Sequence, residues 1–422
     1  MGPLTRLFVD REFFRTRMVL GFALLALGLA LGRRSFNGFG HDLAQLYVAG
    51  QLLRHGHNIY DWNVQTEGYL HYIGEVMTWG HFYTPASSVV VLPMTLLTYP
   101  VAREAWFFGG FVVMLYGLWR FMEAYVPAWD RSHRVLVLGL VMCSSCVRWA
   151  CWAGQPASIL LGLFSLFMVE LRTGRNVLVV AYAGFMGALK VTLGMPFLLI
   201  VVALRRYGLA AAMLATWALL TLIGTLGHGG FEILADYRAN MAVFEDPERL
   251  NYPDPRGVGS GSRTDWPYLL NAIWPNIEVN RLLGWVLTMI TLAWLARTLW
   301  RTDKSAMNDR TLMLALIGPI TSISMLAIYH HPYDIVIMLL PIFVYATQQE
   351  FRGGDALVYM LTVGAFAGLH QEKNFADLLH HIMGPSSVLI ARPLACVVCI
   401  VALVTSCRIL RQVVQRTAAK DG

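Results

Sequence analysis

Apolar runs of membrane-spanning character recur from one end of the chain to the other, and nothing constrains its fold more. They lie near residues 13–32, 85–99, 104–121, 135–152, 156–171, 177–203, 209–227, 282–299, 311–328, 333–347, 356–370 and 387–408. A helix crosses the hydrocarbon core with about 20 apolar residues. Inside the bilayer every backbone amide must find a partner within the protein. These runs predict an all-α polytopic membrane protein, a bundle of roughly 10–13 transmembrane helices, several of them short. Only 14% of the residues are charged, against about 25% in a soluble domain. No stretch stands apart as a soluble unit, so residues 1–422 read as one integral membrane domain. No internal repeat is visible, which weighs against a transporter built from two related halves.

The formal net charge of +7 comes mostly from arginine, and it punctuates the apolar runs. Arg6, Arg11, Arg15 and Arg17 precede the first run; Arg408, Arg411 and Arg416 follow or close the last. The positive-inside rule then puts both termini in the cytoplasm, as for a multi-pass protein of the cytoplasmic (inner) membrane. A nucleic-acid partner is not expected, since that would gather the charge on one soluble face. The first run lacks a small-residue cleavage site and reads as an uncleaved anchor. Two C-x-x-C spacings, Cys143–Cys146 and Cys396–Cys399, lie inside apolar runs without a neighbouring His or Asp. They read as small helix residues rather than a zinc or redox motif.

Two long polar segments interrupt the runs, 33–84 and 228–281. With the N-terminus inside, the first is an outer loop, expected to be helical in part. The second holds FEDPERLNYPDPRGVGSGSRTDWP, whose Pro, Gly and Ser predict an ordered loop with mobile stretches, not a helix. Arg172/Arg175 and Arg205/Arg206 look cytoplasmic, so 177–203 is expected to be two half-helices with an outer turn near Lys190–Pro196. A strict count of spans between 85 and 152 agrees with that placement only if one of them is re-entrant. On this orientation the polar chemistry gathers at one face: His41 and Asp42, Tyr83-Thr84-Pro85, Gln155, Lys190, the second long loop, and His330, His331 and Asp334.

Each of these residues has a plain reading and a functional one. Asp42 precedes an amphipathic stretch, where aspartate commonly caps the first amides; it is also a candidate catalytic base. Lys190 is either a lysine snorkelling to the headgroups or a point charge for a phosphate. Gln155 either satisfies a helix start or binds substrate. His330, His331 and Asp334 crowd one short turn, and ionisable groups at membrane depth usually serve function. Adjacent histidines supply one metal ligand at most from a common face, so phosphate or substrate contact outweighs metal. His370, His380 and His381 flank another turn and read as solvated at the interface.

The order D-x4-Y-x2-G-x2-L-x2-G-x3-Y occurs as Asp42, Tyr47, Gly50, Leu53, Gly56 and Tyr60. It is followed by Tyr83-Thr84-Pro85, Arg103-Glu104-Ala105-Trp106, Gly154-Gln155, Ala183-Gly184 with Lys190, and the His-containing turn with Asp334. Over residues 40–335 this resembles the GT-C class of membrane glycosyltransferases, in particular the polyprenyl-phosphate-mannose-dependent mannosyltransferases of glycosyltransferase family 87. The resemblance implies a GT-C type helical bundle with Asp42 as catalytic base. It implies that Lys190 and a histidine of the 330–331 pair approach the donor phosphate, with His41, Tyr47, Tyr83, Gln155 and Asp334 as substrate-binding groups. The turn carries two histidines, so the one that matches is open, and the 228–281 loop matches no family motif.

The implied partners are a polyprenyl-phosphate sugar donor, a lipid or polysaccharide acceptor, and membrane lipids. An acceptor hydroxyl that attacks the anomeric carbon loses a proton, which one carboxylate can take. The phosphate leaves as an anion, so no second carboxylic acid is required, unlike in a glycosidase. The scheme requires no cofactor, and a divalent metal is compatible with it. The competing reading is a transporter or lipid flippase without transferase activity, which predicts internal symmetry and polar groups at mid-span.

Overall fold

Every apolar run becomes helix where it is described, and no strand occurs among the described residues. The computed structural model describes residues 13–36, 40–75, 81–242, 252–256, 263–300, 302, 309–328, 330–347, 351, 353–369, 381 and 392–418. Helix α1 (Phe14–Ser35) leads into α2 (His41–Arg54) and α3 (Trp62–Ile73), which build the first long polar segment. Next come α4 (Pro85–Val91), continued by a 3-10 turn at Leu92–Leu96, then α5 (Tyr99–Tyr125), α6 (Arg131–Met142), α7 (Ser145–Ala153) and α8 (Ala157–Thr173). Helices α9 (Asn176–Leu189), α10 (Val191–Ala203) and α11 (Tyr207–Gly227) follow. The second long segment contains α12 (Ile233–Ala242) and α13 (Trp266–Ile273). The chain ends with α14 (Ile277–Trp300), α15 (Arg310–Ala327), a 3-10 turn at Pro332–Met338, α16 (Leu339–Thr347), α17 (Gly354–Leu369) and α18 (Leu394–Ala418).

The protein is thus an all-α, multi-pass membrane protein. Among the described residues six helices (α1, α5, α11, α14, α15 and α18) are long and apolar enough to cross a bilayer, and the α6–α7 pair makes seven if counted as one span. That pair bends by 52°, inside the region where the span count calls for a re-entrant element. Others of the dozen sequence runs form shorter apolar helices of 10–17 residues. Among the described residues, then, six or seven of the expected 10–13 helices are long enough to cross by themselves.

The run at 177–203 is continuous in hydropathy but broken in structure. Residues seven apart on a straight helix are separated by about 10 Å. Yet a Cβ added to Gly194 would stand 2.6 Å from the Cα of Gly187. The chain therefore doubles back at Lys190, whose backbone is extended (φ −155°, ψ 113°). Trp217 of α11 lies against both glycines, and its indole N–H donates to the Ala183 carbonyl at 2.9 Å. The two half-helices read from the sequence are present, with Lys190 at their apex.

Without a hydrophobic drive between helices in lipid, close packing of small residues holds such a bundle together. Gly21 and Gly28 bring α1 against α6: a Cβ there would meet Val135 at 2.8 Å and Met142 at 2.6 Å. Gly117 of α5 and Gly162 of α8 bring those two backbones closer still. One charged residue completes the α1–α6 contact. Arg17 is fully buried, donates to Ser132 Oγ at 2.8 Å and pairs with Asp130 at 3.3 Å. Asp130 in turn caps α6 through the amides of Ser132 and His133.

The second long segment departs from its loop reading. Residues 233–242 and 266–273 are helical, the latter capped by the Asp265 carboxylate on the Tyr268 amide. The Pro- and Gly-rich stretch between them masked the short apolar helices at either end. Helix α12 seats on the first segment: Asn58 donates to Asp236 at 2.7 Å, and Tyr60 packs on Tyr237 with ring centroids 5.3 Å apart.

Candidate active site

The site begins with two glycines in the left-handed region. Gly40 precedes α2 with φ +64°, and Gly154 closes α7 with φ +71°. They pack directly on each other. A Cβ on Gly154 would lie 3.2 Å from both the Cα and the carbonyl oxygen of Gly40, and 3.1 Å from the Cβ of Leu43. Trp106 of α5 holds this joint, its indole N–H donating to the Gly154 carbonyl at 3.2 Å. The contact seats Asp42, in the first turn of α2, beside Gln155. Asp42 is not the helix cap: Gly40 occupies that position, with no side-chain cap bond. The carboxylate instead sits in the first turn, at the positive end of the α2 dipole.

Asp42 is half-buried. The Tyr83 hydroxyl donates to its Oδ1 at 3.3 Å, and Gln155 Nε2 donates to the same hydroxyl at 3.5 Å. Tyr83 is held from behind, where the Tyr60 hydroxyl donates to its carbonyl at 2.7 Å. Burial, and then the Asp42 carboxylate, push the Tyr83 phenol well above its usual range, so it stays a donor. Burial raises the Asp42 carboxyl above the ordinary carboxylate range. The charge of Lys190, hydrogen bonds from Gln155 and Tyr83, and the charge of His41 oppose that rise. Desolvation prevails, which moves the group toward the pH at which a base works best.

Lys190 reaches the site from the α9–α10 reversal, and Thr84 Oγ1 ties that turn to the start of α4 by donating to the Ala188 carbonyl at 3.4 Å. On its other side Lys190 Nζ stands 3.5 Å from Asp334 Oδ2. The same carboxylate oxygen takes a 2.9 Å hydrogen bond from His330 Nδ1. His330 and Asp334 are fully buried, while His331 is half-buried. His330 Nε2 and Asp334 Oδ1 are buried atoms without a hydrogen-bond partner. With its Nδ1–H donated to Asp334, a neutral His330 presents Nε2 as an acceptor; once protonated it presents a second donor. The geometry therefore separates the two adjacent histidines, which spacing along the chain left equivalent.

Four helix-to-helix turns and the start of α2 thus converge. They bring together Asp42, Tyr83, Gln155, Lys190, His330 and Asp334. His41 is exposed beside them, its ring 6.3 Å from that of Trp152. The Tyr47 hydroxyl donates to the Leu97 carbonyl at 2.7 Å and accepts from Gln51, fastening α2 to the 3-10 turn after α4. His370 and His380 lie outside the described residues. Sequence reasoning gave no role to His81, which packs on Tyr83 with ring centroids 5.7 Å apart. Burial lowers this histidine to about 3, so it is neutral. Its position two residues before the Tyr83-Thr84-Pro85 motif was the available signal. Among the described residues no three His, Cys, Asp or Glu side chains gather as a metal site. The C-x-x-C cysteine Cys396 is buried, and its thiol donates to the Arg263 carbonyl at 3.1 Å.

A multi-pass helical membrane protein with its carboxylates, lysine and histidine gathered among helix turns fits the class of membrane-embedded transferases. The model of glycosyltransferase family 87 matches residues 81–327, more than half of the chain; the chain belongs to that family and is a glycosyltransferase. A transporter or flippase without transferase activity is thereby set aside. The matched stretch contains Tyr83, Gln155 and Lys190, whereas Asp42, His330, His331 and Asp334 flank it. No curated protein matches the chain.

Proposed function

We propose that this glycosyltransferase takes its sugar, mannose on the family resemblance, from a polyprenyl-phosphate donor. It delivers the sugar to a lipid or polysaccharide acceptor at the outer face of the cytoplasmic membrane. The acceptor hydroxyl attacks the anomeric carbon as the bond from that carbon to the phosphate oxygen breaks, and the electron pair leaves with the phosphate. Asp42 takes the hydroxyl proton. Tyr83, braced by Gln155, fixes the carboxylate's direction. Lys190 and His330 approach the departing phosphate and offset its charge, with Asp334 orienting both. A single displacement inverts the anomeric centre, so a β-linked donor gives an α-linked product.

The observation that carries this reading is the position of Lys190. It stands within charge-interaction range of Asp42 on one side and 3.5 Å from Asp334 on the other. One cation thus lies between a base for the acceptor and a buried His–Asp pair. The test is transfer from a radiolabelled polyprenyl-phosphate sugar by purified protein in lipid, with the product's linkage identified. A labelled product of inverted configuration is expected. Use of a nucleotide sugar in place of the lipid-linked donor, or a retained configuration, would overturn the reading.

A further inference from the structure

We infer that Thr264, in the second long segment, is a positioning residue for His330; this rests on the reading of His330 as a group that meets the substrate. Helix α15 ends at Ala327, and the carbonyls of its last turn lack intrahelical partners. The fully buried Thr264 supplies one from about sixty residues away: its hydroxyl donates to the Met325 carbonyl at 3.2 Å. The same residue holds the turn that follows. Its backbone N–H donates to the His330 carbonyl at 3.2 Å, and its hydroxyl also lies 3.4 Å from that oxygen. Thr264 therefore bonds both the helix end and the histidine.

The segment that carries Thr264 is itself fixed on both sides. Arg263 and Asp265, both buried, pair with each other. Asp265 caps α13, and the Cys396 thiol of α18 donates to the Arg263 carbonyl. A strap held this firmly transmits the position of α13 and α18 to His330. The atom it places is one the fold leaves unpartnered, the buried Nε2. Keeping such an atom unpaired in a buried site is costly unless a ligand supplies its partner. Side chains acting on a reacting group must be held to within a fraction of an ångström by the residues behind them.

The experiment compares kcat, donor KM and thermal midpoint of the full-length enzyme in lipid with those of Thr264→Val, Thr264→Ser, His330→Ala and Thr264→Val/His330→Ala. Thr264→Val removes the hydroxyl and keeps the shape; if it does not fold, Thr264→Ala serves instead. Loss of that hydroxyl should lower kcat about fivefold with donor KM unchanged. Thr264→Ser should restore most of the loss. On the residual activity of His330→Ala, the valine substitution should add nothing, because the two act through one group. Wild-type kcat in Thr264→Val, or a full additional loss in the double variant, would show a helix cap only and overturn the proposal. A fully active His330→Ala would instead overturn the role of His330, and the proposal with it, whatever Thr264→Val does.

Discussion

Replacing Gly154 by alanine tests how the base is placed, because two separable costs meet at that residue. The first is conformational: φ is +71°, and an L-residue in the left-handed region costs roughly 1–2 kcal/mol. The second is steric. The new Cβ would lie 3.1 Å from Leu43 Cβ and 3.2 Å from the Gly40 backbone, both on the segment that carries Asp42. Overpacking of this kind costs roughly 1–3 kcal/mol, and relief requires α2 to move away from the Gln155 turn. Gly174 provides the control. It also closes a helix in the left-handed region, at φ +77°, but a Cβ there meets nothing within 4 Å. Gly174→Ala should therefore lose only the conformational part, roughly 1–2 kcal/mol, and keep full transfer activity. Gly154→Ala should lose roughly 2–5 kcal/mol in all. Since displacement of reacting groups by about 1 Å can cost a hundredfold, a shift of a few tenths should lower kcat about tenfold. Stability is read by thermal unfolding in detergent, activity by transfer in lipid. Equal stability of the two variants together with wild-type kcat in Gly154→Ala would refute the argument that the Gly40–Gly154 contact places Asp42.

Asp42→Asn should lower transfer by about 10²–10⁴-fold, the usual contribution of a general base, while the thermal midpoint holds, because Gly40 and not Asp42 caps the helix. An active asparagine variant would remove Asp42 from the mechanism. The acidic limb of the pH–rate profile should reflect the raised Asp42 carboxyl, with activity lost as pH falls and the base is protonated. Lys190→Gln removes the cation that opposes this rise, so the limb should move to higher pH; an unmoved limb would place Lys190 outside the base's field. Finally, burial holds His81 at about 3 and His228 at about 4. The unfolded chain therefore binds protons that the folded one refuses below the ordinary histidine value near 6.5. Stability should be complete above that value. It should decline as pH falls toward 4, by at most ~1.4 kcal/mol per pH unit for each histidine. A His228→Gln variant with an unchanged acid-unfolding curve would count against this.

The class of the fold was legible in the sequence because membrane insertion is decided locally. Apolar length and arginine placement suffice to call helices, and every described run is helical. The number of full crossings was less legible, since hydropathy does not reveal where a run breaks. Lys190 shows this: the sequence marked it as a turn, but only the Gly187–Gly194 contact establishes a reversal. The second long segment hid two short helices for the opposite reason, as Pro and Gly between them dominated its composition.

The candidate site divides in the same way. The residue types it needs, a carboxylate, a lysine and a histidine at helix turns, were visible because ionisable groups in so apolar a chain stand out. Their partners were not. That Asp42 is bound by Tyr83 rather than serving as a cap, that His330 hydrogen-bonds Asp334, and that the Tyr47 hydroxyl donates to the Leu97 carbonyl all depend on contacts across 41, 4 and 50 residues of chain. Local sequence determines which segments enter the membrane and which polar residues lie at their ends. Only the packing of one helix against another, here through facing glycines, decides which of those ends meet, because direction and distance between helices are properties of the contact and not of either helix alone.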